Sequence, residues 1–174
     1  MATTLISLEA YLHKCYEPDM EFVDGALVGR NVGTPLHGTL LGVAGAYFFE
    51  FRRTHRILPL IACRLLMDAE RGCYRIPDVL VLEGPYTKST FVTDVPAVVI
   101  EIKSPEDTLD ELSEKCLEYA VLGVPNIIVL DPDDKLAYVF ANKSLQLAES
   151  VVLHLPKSGA DLPFPAGRMF EELD

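Results

Sequence analysis

The 174-residue sequence predicts an α/β (α+β) fold, a mixed β-sheet flanked by helices, behind an N-terminal helix and hairpin. Three observations carry that reading. Short apolar runs rich in β-branched residues recur from about Leu58 onward, each bounded by Gly, Pro or Asp. A stretch of helical periodicity, "SPEDTLDELSEKCLEYAVLGVP", lies between two of those runs and joins them as a strand–helix–strand unit, the kind that makes adjacent strands parallel. Hydrophobic residues make up 49% of a chain long enough for a sizeable core, so a single domain spanning 1–174 is expected.

The elements follow in order. Ser7 is placed to cap a short helix, "LEAYLHKC". "MEFVDGALVGR" reads as a hairpin about Asp24-Gly25, a favoured turn pair. Thr34-Pro35 has the signature of an N-cap followed by Pro at the first helical position, opening a helix through "LHGTLLGVAGAYFFEFRR" whose Gly and Ala suggest close packing. "LPLIACRLLM", "CYRIPDVLVLE", "PAVVIEIK", "NIIVLD" and "KLAYVFAN" read as strands, and the near-continuous apolar character of "AVVIEI" and "NIIVL" suggests burial on both faces. Between the last of these, Thr108 and Glu111 form a capping box. Leu109, Leu112, Cys116, Tyr119 and Ala120 make one apolar stripe, and Gly123 with Pro125 ends the helix. "PDDK" turns the chain into an antiparallel hairpin, and "DLPFPAGRMFEELD" is expected to be loop plus a short terminal segment.

Composition excludes several classes. No apolar run approaches the roughly 20 residues that span a membrane, and the first residues lack a secretory pattern, so a cytoplasmic protein is expected. Cys15, Cys63, Cys73 and Cys116 form no CxxC pair, which leaves reduced, mostly buried thiols rather than a zinc site. The formal net charge of −11 argues against generic nucleic-acid binding. Its distribution is uneven: residues 1–60 carry five basic and six acidic groups, the remainder ten and twenty. Arg52, Arg53, Arg56, Arg64, Arg71 and Arg75 fall close together in the chain, either as a local basic face or as a solvated, salt-bridged surface.

The chemistry concentrates in "PAVVIEIKSPEDT". Strand alternation puts Glu101 and Lys103 on one face at the C-terminal end of a buried strand, where open sheets bind ligands. Asp78 begins another strand, and if that strand runs antiparallel alongside, Asp78 meets them. Two carboxylates and a lysine suit metal-assisted phosphodiester hydrolysis. Asp78 and Glu101, with the backbone carbonyl of Ile102, offer hard oxygen ligands for Mg²⁺ (or Mn²⁺ in its place). Lys103 would orient water or offset charge in the transition state. The alternative is an edge ion pair between Glu101 and Lys103, worth about 0–1 kcal/mol, with Asp78 a turn residue.

"EFVDGALV…PLHGTLLG", "RIPDVLVLEGP", "VPAVVIEIKSPEDT" and "EKCLEYAVLGVPNIIVLDP" resemble, in order, the Uma-two family of the PD-(D/E)xK nuclease superfamily, from about Glu9 to Pro132. The resemblance implies a restriction-endonuclease-like core and DNA as substrate. It implies metal ligation by Asp78 and Glu101 and a catalytic role for Lys103. Many relatives lack that lysine and have one in the following helix instead. This chain also has Lys115, about 40° around the helix from Tyr119 and able to reach back toward the strand ends. Glu21 and His37 lie in matching blocks as accessory candidates, an extra acid near the metal and a histidine on an early helix. A DNA endonuclease acting as a homodimer is therefore expected. A catalytically inactive nuclease-fold module, for binding or dimerisation with an unidentified protein partner, is the alternative that the net charge raises.

Overall fold

A computed structural model describes residues 6–17, 19–30 and 33–173. The chain opens with α1 (Leu8–Leu12), capped by Ser7, whose Oγ accepts from the Ala10 amide. The hairpin β1 (Met20–Val23) and β2 (Ala26–Gly29) turns at Asp24-Gly25 with φ of 51° and 81°, the paired left-handed geometry of a two-residue hairpin turn. Helix α2 (Pro35–Phe51) begins at Thr34, whose side chain accepts from the His37 amide, with Pro35 at the first helical position.

The apolar runs that follow do not each make one strand. "LPLIACRLLM" divides into β3 (Ile57–Ile61) and β4 (Leu65–Asp68), and "CYRIPDVLVLE" into β5 (Cys73–Arg75) and β6 (Val79–Glu83). Both breaks lie at one seam between two sheets. The chain leaves the main sheet at Ala62, which has φ of 48°, and returns at Asp78, whose carbonyl accepts from the Ala62 amide at 3.0 Å. The excursion joins the first hairpin in a four-stranded sheet of order β2-β1-β5-β4.

The main sheet is completed by β7 (Val98–Ile102), β8 (Asn126–Asp131), β9 (Leu136–Ala141) and β10 (Ser144–Leu147), in the order β10-β9-β8-β7-β6-β3. It is mixed as expected: β7 and β8 are parallel, joined by α3 (Leu109–Leu122), and the other neighbours are antiparallel. Every residue of β6, β7 and β8 is buried, since helices cover both faces. Leu40, Ala44 and Phe48 of α2 pack on Val79, Val81, Ile100, Ile102, Ile128 and Leu130. Leu112, Cys116 and Tyr119 of α3 pack on the alternate set, Leu80, Leu82, Val99, Ile127 and Val129. Each large side chain so buried contributes about 1.5–3 kcal/mol. The α3 stripe is narrower than its pattern, for Leu109 and Ala120 are exposed. Gly123 closes α3 in the left-handed conformation (φ 101°), with the Val124 amide donating to the Tyr119 carbonyl.

The C-terminal segment is more ordered than a loop. The hairpin β11 (Val151–His154) and β12 (Asp161–Phe164) and a 3-10 helix (Ala166–Leu173) seal the α2 side of the core, with Phe164 stacked on Phe48 at 5.6 Å. The glycines of α2 are not a packing seam throughout: a Cβ at Gly45 would meet Ile61, while Gly38 and Gly42 face open space. Nor do the arginines make one basic face. Arg64 lies over the Tyr11 ring and pairs with Asp19, Arg71 pairs with Asp24, Arg52 covers Phe49, and Arg75 is turned inward.

Candidate active site

The seam between the two sheets is where the acids meet. Antiparallel pairing sets Val79 opposite Ile100, so Asp78, one residue before β6, reaches the end of β7. Its Oδ2 accepts from the Ile102 amide at 2.8 Å and its Oδ1 from Arg30 Nη2 at 2.5 Å, while His37 Nε2 stands 3.4 Å from Oδ2. Glu101 enters from β7 itself, and its Oε1 accepts from the Tyr119 hydroxyl at 2.5 Å. Glu21 enters from β1, where its Oε1 accepts from the Ile76 amide at 3.0 Å and its Oε2 from Arg75 Nη1 at 2.7 Å. All three carboxylates are buried.

One cation ties two of them together. Lys115 Nζ lies 3.0 Å from Glu21 Oε1 and 3.1 Å from Glu101 Oε1. Helical spacing explains it: Lys115 and Tyr119, one turn apart on α3, both reach down to the same carboxylate. Arg75 is locked by a two-pronged pair with Glu118 at 2.7 and 2.8 Å as well as by Glu21. Above these groups opens a cavity of about 440 Å³. Arg30, His37, Asp78, Glu101, Ile102 and Lys115 line it, and Glu106, just before α3, with Glu111, Glu114 and Glu118 of α3, adds an acidic rim.

Lys103 is the exception among the expected residues. It shares the Glu101 face but does not line the cavity. The Lys103 amide continues the parallel ladder by donating to the Leu130 carbonyl, and Nζ leans toward the β8–β9 turn, 3.3 Å from Asp131 and 3.8 Å from Asp133. The buried Asp131 carboxylate draws it away from Asp78.

The sequence from residue 8 to 167 matches the Uma2 family, described as "Putative restriction endonuclease". The chain belongs to the Uma2 family. Among solved structures, this Uma2 chain is similar to "a putative nuclease belonging to DUF820" from Anabaena variabilis, at TM-score 0.79 and 16% identity, over 97% of this chain and 99% of that one. That likeness establishes the fold, a restriction-endonuclease-like core. A chain of the DrdV–DNA complex overlaps 60% of this one and 9% of its own length at 20% identity, and its TM-score of 0.40 is too low to carry an argument. No curated protein matches.

The electrostatics of this Uma2 site divide the acids. Burial raises the Glu101 pKa to about 7, and the charges of Asp78 and Glu21 add to the effect against the opposing pull of Lys115. Burial also acts on Glu21, but Lys115 and Arg75 outweigh it and hold the pKa below the ordinary value. Asp78 is likewise held low, as contacts with His37, Arg30 and the Ile102 amide outweigh its burial. Burial disfavours charge on Lys115, yet Glu101 and Glu21 prevail and raise its pKa, so it stays protonated.

Among the described residues, no three His, Cys, Asp or Glu side chains converge on one point as a ready-made metal cage. Asp78 and Glu101 nonetheless line the same cavity, with cations already drawn to their oxygens. Two hard carboxylates lining a cavity suit Mg²⁺, which keeps several of its waters and seldom uses an all-protein cage. Arg30, Arg75 and Tyr119 are the members the sequence did not announce. Tyr119 reads as apolar stripe and Arg75 as surface charge. Only the i,i+4 spacing of Lys115 and Tyr119 hints at a shared target.

Proposed function

We propose that this chain is a divalent-metal-dependent endonuclease that hydrolyses DNA phosphodiester bonds. One observation carries the reading: Asp78, just before β6, and Glu101, on β7, line one cavity, with a half-buried lysine 3.1 Å from Glu101. Asp78 and Glu101 would hold Mg²⁺ or Mn²⁺, with the Ile102 carbonyl as a third protein oxygen at the same strand end. A metal bound there would polarise the phosphate and lower the pKa of a bound water. Lys115, being protonated, is a donor and not a base: it offsets charge that develops on the phosphoryl oxygens. Lys115 takes the role the sequence assigned to Lys103. Glu21 and Arg75 orient Lys115, Tyr119 orients Glu101, and His37 borders Asp78. A two-fold dimer, which would present one site to each strand, and a cytoplasmic setting for the thiols of Cys15, Cys63, Cys73 and Cys116 belong to the same proposal.

The test is incubation with plasmid, linear and single-stranded DNA in Mg²⁺ and in Mn²⁺. Cleavage that falls at least roughly a hundredfold in Asp78→Ala and in Lys115→Ala supports the reading. DNA left intact under both metals overturns it. A second reading, a non-catalytic binding module, draws on the cations that already neutralise the carboxylates and on the net charge of −11. A thermal melt separates the two, because a true metal site raises the melting temperature as Mn²⁺ saturates it.

A further inference from the structure

Three cations reach into the site, and they are held differently. Lys115 is wedged between two buried carboxylates, and Arg75 is clamped by Glu118 and Glu21. Arg30 differs from both. It stands one residue past β2, which is an edge strand of the small sheet. Its side chain is 22% exposed on the cavity wall, and Nη2 contacts Asp78 Oδ1. The other Asp78 oxygen is held by a backbone amide, which cannot leave. The guanidinium therefore sits on the Asp78 oxygen that no backbone amide holds, where its charge would repel an arriving divalent cation.

The surroundings say where the displaced guanidinium goes. Elsewhere on the cavity lining, Glu106, Glu111 and Glu114 repel a phosphate, and Glu118 is already taken by Arg75. A phosphodiester in the cavity finds its counter-charge on the wall of Arg30 and Lys115. The planar fork of arginine matches two phosphate oxygens as it matches a carboxylate. We propose that Arg30 is an exchangeable phosphate clamp: it neutralises Asp78 in the metal-free protein and transfers to the DNA phosphate when metal takes Asp78. This rests on the metal-dependent nuclease reading above and adds a residue that competes with the metal yet holds the substrate.

The two roles give effects of opposite sign. Calorimetric titration of Mn²⁺ into wild type, Arg30→Gln and Asp78→Asn is the first arm. Arg30→Gln should bind Mn²⁺ roughly tenfold more tightly, because a competing cation is gone. Labelled duplex DNA, measured by anisotropy with Mn²⁺ present in a Lys115→Gln background that disables cleavage, is the second arm. Adding Arg30→Gln should weaken binding roughly tenfold and lower the slope of log affinity against log salt by about one, with no change in that slope when Mn²⁺ is withheld. Arg30→Lys keeps the charge and loses the fork, so it should restore wild-type Mn²⁺ affinity without restoring DNA affinity. Equal Mn²⁺ affinity in wild type and Arg30→Gln, with binding lost in Asp78→Asn, overturns the clamp and leaves the metal site standing. Binding to neither wild type nor Arg30→Gln overturns both. Binding to Arg30→Gln alone supports the clamp in its strongest form.

Discussion

Glu101→Gln should flatten the pH dependence of stability in the metal-free protein. Glu101 is buried, and its pKa stands at about 7 where an unfolded chain has 4.5. A carboxyl raised on folding stabilises the native state fully below the unfolded value, and that contribution is lost as pH rises through the folded one. Between about pH 4.5 and pH 7 the unfolded chain gives up this proton while the native protein keeps it. The gap corresponds to about 3 kcal/mol lost by pH 8. Glutamine has the same shape and no proton to lose. Urea unfolding of wild type and Glu101→Gln at pH 5 and pH 8, in chelator, should show wild type losing about 2.5 kcal/mol more than the variant, or roughly 5–10 °C in melting temperature. Glu21 and Asp78 do not confuse the comparison. Their pKa values are lowered, so they act at acid pH below this window, and they are common to both proteins. Parallel stability curves would falsify the reasoning, for they would mean that Glu101 is already ionised against Lys115. A second readout follows from the same proton: Mn²⁺ binding displaces it, so affinity should climb with pH below about 7 and level off above.

Other outcomes follow from the same contacts. Lys115→Ala should cut cleavage at least roughly a hundredfold and cost about 3–5 kcal/mol of stability without metal, because Glu21 loses a buried partner. Added Mn²⁺ should recover part of that stability in a thermal melt. Lys103→Ala should leave cleavage within about twofold and Mn²⁺ affinity unchanged, and cost about 1–3 kcal/mol through the unpaired Asp131. Loss of cleavage there would return the role to Lys103. Tyr119→Phe removes the donor to Glu101 and should raise its pKa further, lowering Mn²⁺ affinity at pH 7 more than at pH 8.5. Phe48→Ala opens the core beneath α2 and should cost about 3–5 kcal/mol by denaturant unfolding, with no selective effect on metal binding.

What could be read from the sequence was what local patterning controls. The capping box at Thr108, the glycine stop at Gly123, the Asp24-Gly25 turn and the fully buried β7 and β8 all have short-range causes, and each is where its residues put it. The seam was not legible. The runs across Ala62 and across Ile76-Pro77 are apolar on both sides, so hydrophobicity does not mark where one sheet ends and the next begins. The convergence of Asp78 on β7 could be read because it needed only antiparallel pairing. The direction of Lys103 could not, because it turns on Asp131, which is 28 residues away and buried by the β8–β9 turn. Arg30 was beyond reach for the same reason. Its contact with Asp78 spans 48 residues and depends on how the small sheet leans on the large one.

The strongest objection to a nuclease is a net charge of −11, since DNA approaches positive surfaces. The local balance at the site answers it. At the site Lys115, Arg75 and Arg30 stand against Glu21, Asp78, Glu101 and Glu118, and the buried Glu101 keeps its proton below about pH 7. The floor of the cavity is then close to neutral, as burial demands. A divalent ion held by Asp78 and Glu101 would release the Glu101 proton to solvent and free the Arg30 guanidinium, which stays on the cavity wall. The floor would then become net positive, inside a rim of glutamates that holds phosphates off elsewhere. On this reading the acidic surface sets a condition instead of forbidding the reaction: DNA is attracted only where, and only when, metal is bound. Affinity for duplex DNA should therefore be weak without metal and rise on adding Mn²⁺ in the Lys115→Gln protein. A protein that bound DNA equally with and without Mn²⁺ would be using some other surface.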